Sequence, residues 1–432
     1  MEQFVPGKTL HTNFGSPITI DAYIAGGGQG DVYKVTYGGK TKALKWYKPK
    51  ALKDPDAFYE NLKKNVDKGS PDRAFLWPEA VTEKAEGSFG YIMDLIPDGY
   101  TEFTRVLVSS GGGGFTSFKA VVEACIKTVS AFRILHNIGY SYQDMNSGNF
   151  LINPQTGDVL ICDTDNVAPN GMYTGIIGTP QYMAPEIVAG GAKPSTHTDE
   201  FSLAVVLFML LCASHPLEGE HWLVPCLTPD IERRLYGSDA LFIFDPDDDA
   251  NRPVKGVHNN VLKRWAFMPD YLKTVFIAAF SQEAIKDPNK RVKELGWLKA
   301  LVRFQSDIVR CHACGNEVFI KNASSTKCDS CNKLYEVQNT LKLYEYSVTA
   351  AKNTRIYKCQ LGVCNANEAL TPVALVIASK DDPGMLGLRN MTSNIVVGTT
   401  PSGKTNQVKP GEVIPLKAGI SIKVFEGKIE IN

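Results

Sequence analysis

The chain has 432 residues, 44% of them hydrophobic and 21% charged, with 46 Lys+Arg against 46 Asp+Glu. That length points to two or three domains, and the charge balance excludes an overall field drawing the protein to nucleic acid or an anionic membrane. The most apolar run, FSLAVVLFMLLCAS (201–214), is about a third short of a bilayer span and reads as a buried helix.

In chain order, MEQFVPGKTLHTNFG shows no charged-then-apolar leader, so a cytoplasmic chain beginning near Met1 is expected. Residues 18–46 alternate apolar and polar positions around a glycine cluster, predicting three short antiparallel strands with Gly38 and Gly39 at a hairpin turn. Residues 55–66 open with Pro and have helical spacing, and residues 87–97 return to strand. The glycines at 111–114 read as a flexible spacer, followed by a helix over 117–139 that Gly139 ends. Helices dominate up to about residue 305, broken by an acidic loop at 244–253. Strands first and helices afterwards predict a two-lobed α+β domain, not a wound parallel sheet. From about residue 337, short alternating runs between turns (DDPG, PSGK, KPG, FEGK) predict a small all-β domain, a sandwich or barrel. The expected domains are 1–305, 306–336 and 337–432.

Several stretches carry chemistry. AGGGQGDV (Ala25, Gly26, Gly27, Gly28, Gln29, Gly30, Asp31, Val32) is a tight turn between two strands, where missing β-carbons let N–H groups close on phosphates. An ordinary glycine turn is the alternative. Lys45 lies mid-strand in KALKWY, where an unpaired ammonium is costly. It either snorkels from an edge strand or is oriented by a helix carboxylate, and Glu60 is the only Glu between it and Glu79. In YSYQDMNSGNFLIN (140–153), Asp144 and Asn149 lie on a loop after a helix, and Asp163 follows at the end of an apolar strand. Such oxygens suit a hard cation beside phosphates, although each alone also reads as a turn residue.

GTPQYMAPE (178–186) is long and specific. With it, over roughly residues 18–305, the chain resembles the eukaryotic-type Ser/Thr protein kinases, and THTDEFSLAVVLFMLL, HPLEG and DPNKR follow in the order of that family. The resemblance implies ATP and Mg²⁺ as cofactors and a protein substrate. It assigns residues 25–30 and Val32 to a nucleotide lid, Lys45 paired with Glu60 to the α/β-phosphates, Met93 to the gatekeeper, and Asp94, Leu95 and Ile96 to the adenine hinge. Asp144 would be the base, Asn149 and Asp163 the magnesium ligands. Glu186 and Arg291 would fasten the activation segment, Thr179 would line the substrate groove, and Asp199 would brace the catalytic loop.

The sequence also departs from the family. Ala25 takes the first glycine position, Tyr142 replaces a His, and Thr164-Asp165 replace Phe-Gly after the metal ligand. Gln143 stands where an Arg would grip a phosphorylated activation segment, so regulation by that route is not expected. Asn146 stands where a Lys meets the transferred phosphate, and an amide there brings no charge. Two readings follow: a Ser/Thr protein kinase lacking that Arg, or a nucleotide-binding pseudokinase scaffold with little transfer activity.

Of ten cysteines, Cys125, Cys162, Cys212 and Cys226 lie singly in apolar surroundings and read as small buried hydrophobes. Cys311, Cys314, Cys328 and Cys331 form two Cys-x₂-Cys turns thirteen residues apart, the pattern of a closed structural zinc ribbon. His312 between them reads as a surface residue, and Cys359 and Cys364, with four residues between them, read as plain thiols, with a second metal site as the alternative. A kinase domain followed by a ribbon resembles bacterial kinase-like proteins of tellurite-resistance and stress gene clusters, which implies a von Willebrand A-type protein and a PP2C-type phosphatase as partners. Residues 337–432 distantly resemble forkhead-associated domains, without clearly placed phosphothreonine-binding residues.

Overall fold

The computed structural model describes residues 3–108, 114–175, 178–321, 325–362, 364–382 and 384–432. Three glycines of the expected spacer, 111–113, lie outside the described residues, as do residues 322–324 in the ribbon and Pro383 of the DDPG turn. The chain divides into two compact units: residues 1–115, 134–261 and 277–291 form the first, and residues 116–133, 262–276 and 292–432 the second.

In the first unit, β1 (Thr9–His11), β2 (Pro17–Gly26), β3 (Gly30–Tyr37), β4 (Lys40–Tyr47), β5 (Ala80–Val81) and β6 (Gly90–Met93) form an antiparallel sheet in the order β1-β2-β3-β4-β6-β5. The three strands expected over 18–46 are β2 to β4. Gly38 and Gly39, at φ +57° and +73°, make the turn between β3 and β4, a conformation that costs glycine little. The strand expected over 87–97 is confined to β6. One face of the sheet buries Ile18, Ile20, Val35, Leu44 and Ile92 around Tyr33 and Trp46. On the other face lies helix α1 (Pro55–Lys68), capped by Asp54 and packing Phe58 and Leu62 against Tyr47, Val81, Phe89 and Tyr91.

The strands give way to helices, so the expected two-lobed α+β domain is present. After β7 (Thr101–Glu102) and α2 (Phe103–Val108) comes α3 (Phe118–Asn137), ended at Gly139 (φ +79°). Short strands β8 (Tyr140–Ser141), β9 (Phe150–Ile152), β10 (Val159–Ile161) and β11 (Ala168–Pro169) then present loops between them. Helix α4 (Pro185–Val188) precedes α5 (Thr196–Cys212), which is buried along nearly its whole length. Ser195 and Thr198 close a capping box at its start. Among the described residues, no helix is long and apolar enough to cross a membrane.

The second unit has a layer of aromatic contacts in which Phe118 meets Phe267, Phe304 and Phe319. Two small antiparallel pairs follow, β12 (Ile308–Arg310) with β13 (Glu317–Phe319) and β14 (Ser325–Lys327) with β15 (Leu334–Glu336). Residues 340–431 form a six-stranded and a four-stranded antiparallel sheet whose inner residues, among them Leu341, Ile356, Val376, Ile422 and Ile429, share one core. The expected β-rich end is therefore a sandwich. Cys125 and Cys212 are buried as expected, but Cys226 is exposed and Cys162 half-buried, since both lie on connecting segments outside helices and strands.

Candidate functional sites

The first unit brings together most of the residues singled out in the sequence. The register between β3 and β4 sets Val32 opposite Lys45, so the glycine turn and the lysine share one end of the sheet. Ala25 and Gly26 close β2, and Gly27 to Gln29 make the turn. A β-carbon on Gly30 would fall 2.4 Å from the Trp46 carbonyl, so this glycine permits the close approach of β4. One on Gly28 would meet nothing within 4 Å, which leaves the tip of the turn open. Met93 pairs with Ala43 across the sheet, and Asp94, Leu95 and Ile96 continue from it outside regular structure. Lys42 holds the Asp94 and Glu79 carboxylates at 2.6 Å each.

Lys45 is buried, and its ammonium donates to Asp163 Oδ1 at 3.0 Å and Asp165 Oδ2 at 2.8 Å. Burial alone would depress its pKa, but the two carboxylates override that and hold it charged, above the ordinary lysine range. Asp165 is fully buried and also accepts a short hydrogen bond from the Tyr47 hydroxyl.

The structure does not bring Glu60 to Lys45. Phe58, Leu62 and Asn65 define the inward face of α1, and Glu60 projects from the opposite side, 59% exposed and paired with Lys63 at 3.1 Å. Its helical phase places Glu60 away from Phe58, Asn61, Leu62 and Asn65, buried positions of α1. Inward-facing Asn61 and Asn65 instead donate to the Val167 carbonyl at 2.9 and 2.8 Å.

Asp144 lies on the loop between β8 and β9. Asp199 on α5 anchors that loop, accepting from the backbone N–H of Tyr142 at 2.6 Å and of Gln143 at 3.1 Å. Tyr142 is fully buried and its hydroxyl donates to the Cys162 carbonyl, tying the loop to the segment before Asp163. Asn149 Nδ2 donates to the Asp144 carbonyl at 2.8 Å, which commits its nitrogen and leaves its oxygen for a cation. Asn146 Oδ1 accepts from Gly148 N–H at 2.9 Å while its nitrogen lies 3.3 Å from Asp144 Oδ1. Burial pushes the Asp144 carboxyl up to about 6.

Gln143 (φ +73°) and Asp163 (φ +48°) both occupy the left-handed region, where a non-glycine residue costs roughly 1–3 kcal/mol. Such strain beside two candidate catalytic carboxylates marks a site that its surroundings hold in place. Gln143 also reaches the segment before GTPQYMAPE: its Nε2 donates to the Met172 carbonyl at 2.6 Å, and its Oε1 accepts from Thr174 at 3.4 Å. Gly178, the first residue of GTPQYMAPE, abuts the loop, since a β-carbon there would lie 3.6 Å from Asp144 Oδ1.

Sequence reasoning missed Asp165, Tyr47 and Asn166, whose Nδ2 lies 3.4 Å from Asp144 Oδ2. A signal for the first existed: a second acid two residues beyond Asp163, just after an apolar strand.

Residues 83–224 match the protein kinase domain family. The relatives lie in that same range of proteins. Calcium-dependent protein kinase 21 of Oryza sativa subsp. japonica is 27% identical over 148 residues, 33% of this chain and 25% of that protein. MAP kinase-activated protein kinase 2 of Cricetulus longicaudatus is 26% identical over 172 residues, 38% of this chain and 50% of that protein. The matched stretch thus spans a quarter to a half of the length of these curated relatives. A crystal structure of the Mycobacterium tuberculosis PknI kinase domain superposes with a TM-score of 0.45 at 18% identity, covering 69% of this chain and 98% of that one.

In the second unit, the sulfurs of Cys311, Cys314, Cys328 and Cys331 all lie within 4.8 Å of one another. The pairs Cys311–Cys331 and Cys314–Cys328 are 3.7 and 3.6 Å apart, and four thiolates around zinc at about 2.3 Å stand roughly 3.8 Å apart. The two knuckles are alike: Gly315 N–H returns to the Cys311 carbonyl at 2.9 Å and Asn332 N–H to the Cys328 carbonyl at 2.7 Å. Both closing residues have positive φ. Backbone N–H groups of Ala313 and Cys314 pull the Cys311 thiol down to about 7, whereas the Cys314 thiol is pushed up by burial and its thiol neighbours. His312 stacks on Tyr335 at 4.8 Å.

Proposed function

We propose that the chain transfers a phosphoryl group from Mg·ATP to a Ser or Thr hydroxyl of a protein. One observation carries the reading: Lys45, Asp144, Asn149 and Asp163 converge beside a glycine turn and the GTPQYMAPE segment. Magnesium bound there would supply positive charge against the charge that develops during transfer. Asn149 and Asp163 would hold it, since their oxygen donors suit a hard cation. Lys45 would hold the phosphates, and residues 25–30 with Val32 would cover them. Met93 and Asp94 to Ile96 would line the adenine pocket. Asp144 would orient the acceptor hydroxyl and take its proton, with Asn146 donating a neutral hydrogen bond alongside.

On this reading the chain is a cytoplasmic enzyme whose four-cysteine cluster carries a structural zinc. The domains 1–305, 306–336 and 337–432 would catalyse, stiffen and recruit. By the likeness in domain order, partners would include a von Willebrand A-type protein and a PP2C-type phosphatase. A second reading, nucleotide binding with little transfer, is favoured by the uncharged Asn146.

Incubation with γ-labelled ATP, Mg²⁺ and candidate acceptor proteins separates the two. Transfer by the wild type that Asp144→Ala and Asp163→Ala abolish supports the kinase. Mg·ATP binding without label transfer supports the scaffold. Equal label in all three proteins refutes the assigned roles.

A further inference from the structure

We infer that Asp165, and not a carboxylate on helix α1, positions Lys45 toward the phosphates of a bound nucleotide; this rests on the nucleotide reading above. Glu60, the only Glu that α1 offers, faces outward to Lys63. The inward face of α1 gives Asn61 and Asn65 to a backbone carbonyl, so the helix brings no anion to the lysine.

Asp165 fills that place from the loop after β10. It is fully buried, and a buried carboxylate persists only when charge and hydrogen bonds meet it. Lys45 and Tyr47, two residues apart in β4 and so on one face of the strand, supply both on the same oxygen, Oδ2. Tyr47 and Tyr91 wall the ammonium, at 5.5 and 6.0 Å from their ring centres. Lys45 therefore lies between two acids of one loop. Asp163 is the more exposed, its side chain 39% accessible, and Asp165 is sealed. An Asp165 that keeps Lys45 leaves Asp163 available to a cation. The metal ligand and the lysine's orienting partner then move as one three-residue unit, and assembling the site needs no swing of α1.

The test compares wild type, Asp165→Asn, Asp165→Glu, Tyr47→Phe and Glu60→Ala. It measures the Mg²⁺ concentration that half-saturates binding of a fluorescent ATP analogue, kcat and KM for ATP, and the melting temperature. With Asp165 neutralised, Lys45 has only Asp163 and competes with magnesium for it. Asp165→Asn should raise the half-saturating Mg²⁺ several-fold and lower kcat by about tenfold or more, the scale of a charge-assisted hydrogen bond. Asp165→Glu should recover part of both, and Tyr47→Phe should shift both in the same direction by less. Glu60→Ala, altered outside the site, should match wild type. If Asp165→Asn fails to fold, the isosteric core change Tyr47→Phe decides by the same Mg²⁺ shift.

An unchanged Mg²⁺ requirement in Asp165→Asn, or a loss in Glu60→Ala as large as in Asp165→Asn, overturns the inference while wild-type binding keeps the nucleotide reading intact. A wild type that binds no Mg·ATP overturns both.

Discussion

Arg291 grips Glu186 with both ends of its guanidinium, at 2.8 and 2.7 Å, and one of the same nitrogens also donates to the His197 carbonyl at 2.8 Å. The Arg291 side chain is 1% exposed, so this fork fastens the end of the GTPQYMAPE segment from inside the first unit. Arg291→Ala removes the cation and leaves a partly buried carboxylate and a carbonyl without it. Breaking such a pair costs roughly 3–5 kcal/mol. The expected outcome is an earlier thermal transition for the first unit, followed by scanning calorimetry. Melting that matches wild type would show that the pair contributes little.

Gln143 tethers the segment before GTPQYMAPE by neutral hydrogen bonds to Met172 and Thr174. If these bonds replace a phosphate grip in the proposed kinase, activity should not depend on phosphorylation at Tyr173 or Thr174. Thr174→Ala and Tyr173→Phe should therefore keep phosphotransfer within about twofold of wild type, because surface changes of this kind rarely exceed about 0.5 kcal/mol. Gln143→Ala should accelerate proteolytic cleavage near residues 172–175. Dependence of activity on phosphorylated Thr174 or Tyr173, detected by mass spectrometry of the active protein, would contradict this.

Where the sequence was legible, local chemistry and burial agreed. The β3–β4 hairpin followed from two adjacent glycines, α5 from an apolar run, and the four-cysteine cluster from two Cys-x₂-Cys turns, because each signal lies close in sequence to the structure that it dictates. The candidate site was legible in its linear parts: the segments that carry Asp144, Asn149 and Asp163 stand out by their spacing, and these residues lie on neighbouring connecting segments. It was not legible where two distant elements choose partners. Glu60 and Asp165 are both acids within reach of Lys45 along the chain's fold, and only three-dimensional packing puts the first in water and the second under Tyr47. Helical phase would have excluded Glu60; the second acid of Asp163-Thr164-Asp165 was visible, but not that it turns inward to Lys45. The division of the chain into two units, with parts of α3 assigned to each, likewise depends on contacts between residues over a hundred positions apart.

The four-cysteine cluster predicts about one zinc per chain by metal analysis of the full-length protein. Cys314→Ser removes a ligand from a closed set and should release the metal and lower the melting temperature of the second unit, since site formation and folding are coupled. Chelator should reproduce the shift in wild type but not in Cys314→Ser. Metal-free protein of unchanged stability would refute the site.

Asp307 gives the second unit a pH dependence. It follows helix Glu294–Ser306, and its carboxylate accepts from the Tyr271 hydroxyl at 2.8 Å and the Thr349 hydroxyl at 3.2 Å. Burial outweighs these bonds and the nearby Arg303, pushing the carboxyl up to about 6. The folded state therefore holds this proton more tightly than the unfolded chain, whose Asp titrates near 3.9. The resulting stability is fully present below about pH 4 and is lost as pH rises through about 6, amounting to up to roughly 3 kcal/mol. Asp307→Asn keeps an oxygen acceptor but cannot titrate. Urea unfolding of the second unit between pH 4 and 7 should thus fall more steeply for wild type than for Asp307→Asn. A difference between the two proteins that stays constant across that interval would show that Asp307 does not titrate there.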